Sequence, residues 1–160
     1  MSAGKIILLI ILVLGIGYYF YKSKVQRDAA STNLAISYAF LTENKLKPDV
    51  KTTDSGLQYK ILEESGNTEK PKATDVVLVH YHGTLLNGEV FDSSVQRGEP
   101  ISFPLNRVIK GWTEGLQLMS PGDKFRFFIP ADLAYGNRGA GKIEPGSALI
   151  FDVELIQINP

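Results

Sequence analysis

The sequence contains no cysteine. That excludes disulfides, cysteine–zinc centres and a thiol nucleophile, and leaves the cellular compartment open. Histidine is nearly absent, with only His80 and His82. Neither sign of charge is in excess: 17 Lys and Arg balance 17 Asp and Glu, so no basic field points to nucleic acid. No internal repeat is present. What remains is an ordinary globular composition, 44% hydrophobic and 21% charged over 160 residues, enough for one domain plus an appendage.

Residues 6–21 are unbroken by charge, with Lys5 before them and Lys22, Lys24 and Arg27 after. Tyr18, Tyr19, Phe20 and Tyr21 cluster at one end, as at a membrane–water interface. The expectation is an uncleaved single-pass membrane anchor within residues 1–27. Ala3 and Gly4 extend the run toward the about 17–25 residues a span needs. A signal peptide cleaved near Gly15 and Gly17 is the competing reading. The flanking charges alone put the carboxy-terminal side in the cytoplasm.

Residues 28–49 read as a helical stalk. Leu34, Tyr38 and Leu41 recur at i, i+4 and i+7, Ile36 and Phe40 widen the stripe, and Pro48 ends it. This face either packs on the following domain or pairs with a second copy. Residues 50–160 then alternate like strands. Leu57, Tyr59 and Ile61 mark one, residues 76–81 another, and Ile101, Phe103 and Leu105 a third. Phe125, Phe127 and Ile129 mark a fourth, and Leu149, Phe151, Val153 and Leu155 a fifth. Asn87-Gly88 suits a tight hairpin turn. Between the third and fourth strands Trp112, Leu116 and Met119 form one stripe of a short helix, with Asn106 as its N-cap and Pro121-Gly122 as its stop. The class is α+β, a sheet with one face packed on a helix.

Three catalytic patterns fail on inspection. His80 and His82 share a face of a strand but have no third ligand at a metal-like spacing. Asp92, Ser93 and Ser94 lack the adjacent base a nucleophile needs. Residues 136–142, GNRGAGK, imitate a phosphate loop, but Ile143 stands where Ser or Thr would hold magnesium, and Pro145-Gly146 replaces the helix. This stretch reads instead as a glycine-rich surface loop overhanging a site. The informative feature is aromatic. Tyr81, Phe91, Phe103, Trp112, Tyr135 and Phe151 lie on different elements and can converge into an apolar hollow for a small ligand. Asp92, next to Phe91, would need a partner there, and Arg97 is near enough in sequence to supply one.

Several stretches, in order, carry a family likeness: Val79-His80-Tyr81, Gly83, Gly88, Phe91-Asp92-Ser93-Ser94, Val108-Ile109-Lys110-Gly111-Trp112, Glu114-Gly115, Ala134-Tyr135-Gly136 and 149–155. Over residues 50–160 the chain resembles FKBP-type peptidyl-prolyl cis–trans isomerases. Residues 40–45 and 55–59 are similar to the bacterial macrophage infectivity potentiator branch. The resemblance implies a bent antiparallel sheet wrapped around one short helix, and rotation of X-Pro bonds without metal or cofactor. It implies catalytic roles for Tyr81, Phe91, Asp92, Trp112, Tyr135 and Phe151. It implies substrate binding by Arg97, Ile101, Phe103, Val108, Ile109, Ala134 and Ile143. Proline-containing unfolded polypeptides are the implied substrates, macrolides the implied inhibitors and the periplasm the implied location; the branch's long dimerising helical region is largely absent here, which leaves only the stalk for a dimer to form through. The alternative is a catalytically weak, membrane-tethered chaperone that holds clients. Ile101 replaces a phenylalanine of some members, and residues 137–145 form a slightly shorter loop without the histidine of small eukaryotic relatives, which bears on substrate preference.

Overall fold

The β-strand Val76–Leu85, β3, is the centre of the molecule. Its residues alternate between half-buried and buried, with Val77, Val79 and Tyr81 inside, as β-branched and aromatic residues at period two dictate. A computed structural model describes residues 3–160; residues 1 and 2 of the expected 1–27 segment lie outside the described residues. In chain order the strands are β1 Lys51–Thr52, β2 Gln58–Glu63, β3, β4 Val90–Ser93, β5 Ile101–Pro104, β6 Lys124–Ile129 and β7 Leu149–Ile158. They form one seven-stranded antiparallel sheet, ordered β1-β2-β6-β7-β3-β4. β5 also pairs with β3.

One edge of β3 lies along β7 from Val77 to Leu85. The other edge is shared. β5 takes Val76–Val79 and β4 takes His82–Thr84. The gap at Tyr81 is filled by a one-turn helix, α2 Ser94–Arg97, whose Ser94 Oγ accepts the Tyr81 N–H at 2.8 Å. β4 and β5 therefore flank Tyr81 although seven residues lie between them.

The short helix α3, Lys110–Leu116, lies on one face of the sheet. Trp112, Leu116 and, beyond its end, Met119 are buried. Gly111 and Gly115 turn toward β6, where a Cβ would come within 2.5 Å of Ile129 and 2.6 Å of Phe127. Only helix positions without side chains allow this approach. Asn106 does not cap α3. It sits in the 3₁₀ turn Leu105–Arg107, and Ile109 precedes the helix without a side-chain cap. Leu105, held by its amide on Asp75 and fully buried, draws that turn inward instead.

The long helix α1, Ala3–Asn44, merges the expected anchor and stalk into one element. Its second half packs on the opposite face of the sheet, where Phe40 meets Phe128 with ring centroids 6.0 Å apart. The fully buried line is Ala30, Ser37 and Asn44; of the expected stripe Phe40 and Leu41 are half-buried, while Leu34, Ile36 and Tyr38 are exposed. Tyr38 is 74% exposed. Backbone approaches α1 here, so small and polar residues face inward. The expected single-pass span over residues 6–21 is not supported: among the described residues no helix is long and apolar enough to cross a membrane. Sixteen helical residues extend about 24 Å, against a hydrocarbon core about 30 Å thick.

The hairpin at Asn87-Gly88 is wider than a two-residue turn. Leu85 and Glu89 close it, and Gly88 takes a φ of +87°, the left-handed position of a three-residue bulged loop. β1 and β4 carry too little alternation, at two and four residues, to announce themselves.

The α3–β6 contact gives a direct expectation. Gly115→Ala gains about 1 kcal/mol of helix propensity but overpacks against Phe127 by about 1–3 kcal/mol. Urea unfolding should show a net loss of stability; a midpoint equal to or above the wild type would mean that Phe127 yields freely.

Candidate functional site

Between β4, β5, α3 and the glycine-rich loop lies an open hollow of 770 Å³. Its floor is Trp112. The indole meets Tyr81, Phe151 and Phe103 edge-on, with centroids 5.2, 5.2 and 5.7 Å apart. Edge-to-face packing suits the opposed partial charges of ring edge and ring face. Trp112, Tyr81 and Phe151 are 4–5% exposed, so the floor is rigid core with one side open. Phe91 adds a wall, edge-on to Phe151 at 5.3 Å. Gly83 makes room for both rings: a Cβ there would lie 2.7 Å from Phe91 and 2.8 Å from Phe151.

One carboxylate breaks the apolar lining. Tyr81 Oη donates to Asp92 Oδ2 at 2.5 Å, Arg97 pairs with Asp92 Oδ1, and Arg97 Nη2 donates to Tyr81 Oη at 2.9 Å. Burial alone would raise the Asp92 pKa. The hydrogen bonds from Tyr81 and Arg97 and the guanidinium charge outweigh it, and the net shift is downward. Burial, then the hydrogen bond to Asp92, pushes the Tyr81 phenol up. Burial, followed by the negative charge of Asp92, does the same for Tyr135. Both phenols thus stay protonated at neutral pH. Because the Asp92 and Arg97 side chains are nearly half exposed, their ion pair adds little stability. Its consequence is orientation: the Tyr81 hydroxyl and the Arg97 guanidinium, themselves hydrogen-bonded, hold one carboxylate at one edge of the hollow.

The rim is completed by Val108 and Ile109 before α3, by Ile101 and Phe103 of β5, and by Tyr135 and Ile143 of the loop. Ala134 does not line the hollow; it packs against the core behind Tyr135, at the end of the 3₁₀ turn Ala131–Leu133. Arg107, Ala140 and Gly141 also line the hollow; the sequence marked the last two only as part of the overhanging loop and Arg107 not at all. Arg107 reads as a surface charge, and the other two as loop filler. The loop closes on itself through reciprocal 2.8 Å bonds between Ala140 and Ile143, which turns both toward the opening. β7 follows it, not a helix.

The histidines sit elsewhere. His80 Nδ1 lies 3.0 Å from Ser94 Oγ and His82 Nδ1 2.9 Å from Ser93 Oγ. Those serines serve α2, whose Gln96 amide is capped by Ser93. Among the described residues no three His, Asp or Glu side chains gather as metal ligands.

Residues 67–156 match the family described as FKBP-type peptidyl-prolyl cis-trans isomerase, and residues 18–61 match the domain amino terminal to it. The FKBP-type peptidyl-prolyl cis-trans isomerase FkpA of Aeromonas hydrophila is 56% identical over 86% of this chain and 51% of its own length. The peptidyl-prolyl cis-trans isomerase Mip of Coxiella burnetii is 52% identical over 79% of this chain and 55% of its own. The chain thus spans about half the length of these curated relatives. The crystal structure of FkpA from Escherichia coli superposes with a TM-score of 0.86 at 39% identity, over the whole of this chain and 74% of that one. The antiparallel sheet, the helix laid on it and these matches agree, and the chain belongs to the FKBP-type peptidyl-prolyl cis–trans isomerase family.

Proposed function

We propose that this chain catalyses rotation about the bond preceding proline in unfolded or partly folded polypeptides. The observation that carries the reading is the open aromatic hollow over Trp112 with one fixed carboxylate at its edge. The uncatalysed barrier is about 18–20 kcal/mol, set by the partial double bond of the amide, and turnover takes about 10–100 s. Reaching milliseconds requires removing roughly 5–7 kcal/mol.

No bond is broken, so the residues need only favour the twisted amide over the planar one. Planar resonance separates charge, and water stabilises that charge. A proline seated on Trp112 between Phe91, Phe103, Val108 and Phe151 loses this water. The planar state is thereby penalised more than the twisted one, which is differential binding of the transition state. The Ile109 amide and the Tyr135 hydroxyl hold the flanking carbonyls in this pose. Asp92, oriented by Tyr81 and Arg97, faces the carbonyl as it turns. Macrolides of the family's inhibitor class would occupy the same hollow.

The apolar half of α1 supports a further placement. Ile7, Leu8, Ile10, Leu12, Leu14 and Ile16 are all exposed, as are the four aromatics of 18–21. A helix apolar all round needs a non-aqueous neighbour. In this reading residues 6–21 enter a bilayer without spanning its full core, and the domain faces the periplasm.

Three outcomes follow. Phe91→Ala or Asp92→Val should lower kcat/KM on a Leu-Pro peptide at least about tenfold, with far-UV circular dichroism unchanged; full turnover in both variants would refute the assignment. The pH profile should be flat from about pH 5 to 8, because Asp92 is ionised above its depressed pKa and loses function only as pH falls through that value. Exchange NMR on a proline peptide reads this directly, and an inflection inside the plateau would point to another group. The full chain should float with liposomes of phosphatidylethanolamine and phosphatidylglycerol, and Ile10→Asp with Leu14→Asp should release it. A chain that stays in the aqueous fraction would assign the apolar face to protein contact, such as a second copy.

A further inference from the structure

The docked face of α1 is unusual in what it touches. Ala30, Ser37 and Asn44 recur every seven residues and are buried, a spacing that keeps them in one line along the helix. A core-facing stripe ordinarily carries large apolar residues. Here the middle of the stripe meets bare backbone. Ser37 Oγ donates to the Gly146 carbonyl at 3.0 Å and accepts the Ala148 N–H at 2.8 Å. One turn earlier, Asn33 Nδ2 donates to the Pro145 carbonyl at 2.9 Å and to Glu144 Oε2 at 3.1 Å. Gly146 has a φ of +80°, and a Cβ on it would lie 2.4 Å from the Ala30 carbonyl. Only glycine lets the chain pass this close to the helix.

Gly146 is also the base of the hairpin that overhangs the hollow. Its N–H donates to the Gly136 carbonyl at 2.8 Å, and the Gly136 N–H donates to Ala131 at 2.7 Å. Tyr135 stands at one foot of this hairpin, and Ile143 lies near its closed end. Both line the hollow. Segment 144–148 is therefore held by α1 at its back and continues into the rim. Ala148 is 1% exposed, so its amide would be left without water or partner if Ser37 lost its hydroxyl.

We infer that α1 is a positioning element of the pocket: Ser37, with Asn33, fixes the base of the 136–146 hairpin and so sets the aperture through which a peptide reaches Trp112. The inference rests on the isomerase reading for its kinetic consequence, but the clamp itself is independent of it. Neither residue touches the hollow. Their effect is on the pose of Tyr135 and Ile143, and so on binding more than on the rotation step.

The test compares full-chain wild type, Ser37→Ala and Asn33→Ala. Both variants should raise KM for a Leu-Pro tetrapeptide about three- to tenfold, the effect of one or two lost hydrogen bonds, with kcat within about twofold. Amide exchange should quicken at 136–148 while β3 and β7 keep their protection. If Ser37→Ala fails to fold, Asn33→Ala, at a half-buried site, decides alone. Unchanged exchange across 136–148 overturns the clamp. Faster exchange with an unchanged KM overturns its link to the pocket. Should the wild type fail to turn over the peptide, the isomerase reading falls; exchange then still decides the clamp, and peptide affinity read from Trp112 fluorescence decides its link to the pocket.

Discussion

Two missing side chains let α3 lie directly on the sheet. Gly111 and Gly115 face Ile129 and Phe127 at distances no Cβ could occupy. Everything about the hollow follows from that closeness. The helix is only seven residues long, too short to be stable alone, and its packing on β6 is what holds it. Trp112, between the two glycines, is thereby brought among Tyr81, Phe103 and Phe151 and cannot turn away. A floor built this way is part of the core. A ligand that settles on it meets a surface already ordered by folding, so little further entropy is lost on binding.

The split edge of β3 is the second constraint. A continuous neighbour would have paired the whole strand. Instead β5 and β4 take its two ends, and α2 bridges the middle through Ser94. That arrangement puts Phe91 and Asp92 on one side of Tyr81 and Phe103 on the other. It also places Arg97, at the end of α2, within reach of both Asp92 and the Tyr81 hydroxyl. The half-exposed ion pair contributes direction more than stability. The chemistry suits a reaction that makes and breaks no covalent bond: one oriented charge beside a dry surface.

The alternating strands, the Trp112 stripe and the grouping of aromatics were readable because each rests on local period. Tyr81, Phe91, Asp92, Phe103, Trp112 and Phe151 carry large or charged side chains, which stand out in any sequence. Ala140 and Gly141 do not, and they reach the hollow through the closure of a hairpin; Arg107 reaches it from the 3₁₀ turn before α3. Asn106 shows the converse. It has the side chain of a cap, but buried Leu105 beside it takes the backbone into a 3₁₀ turn before α3 begins. Along α1, apolar periodicity pointed to Leu34, Tyr38 and Leu41 with Ile36 and Phe40; Phe40 does meet Phe128 and Leu41 is half-buried, but the fully buried line holds Ser37 and Asn44. Hydrophobic pattern finds faces that bury side chains against side chains. It is blind to a face that meets backbone, where a hydroxyl or an absent Cβ is what fits.

By itself the sequence determined the α+β class, the positions of most strands, the balance of charge and the aromatic inventory of the site, because these depend on neighbours along the chain. It also carried the family likeness. Tertiary structure alone decided that α1 is one helix laid across the back of the sheet, that β3 shares an edge between two strands, and that the rim hairpin is tied to Ser37. The placement of α1 and the tie to the hairpin depend on contacts between residues about a hundred positions apart, such as Ser37 with Gly146, and the shared edge of β3 on which later strands come back to it. Distances of that kind leave no period in the chain.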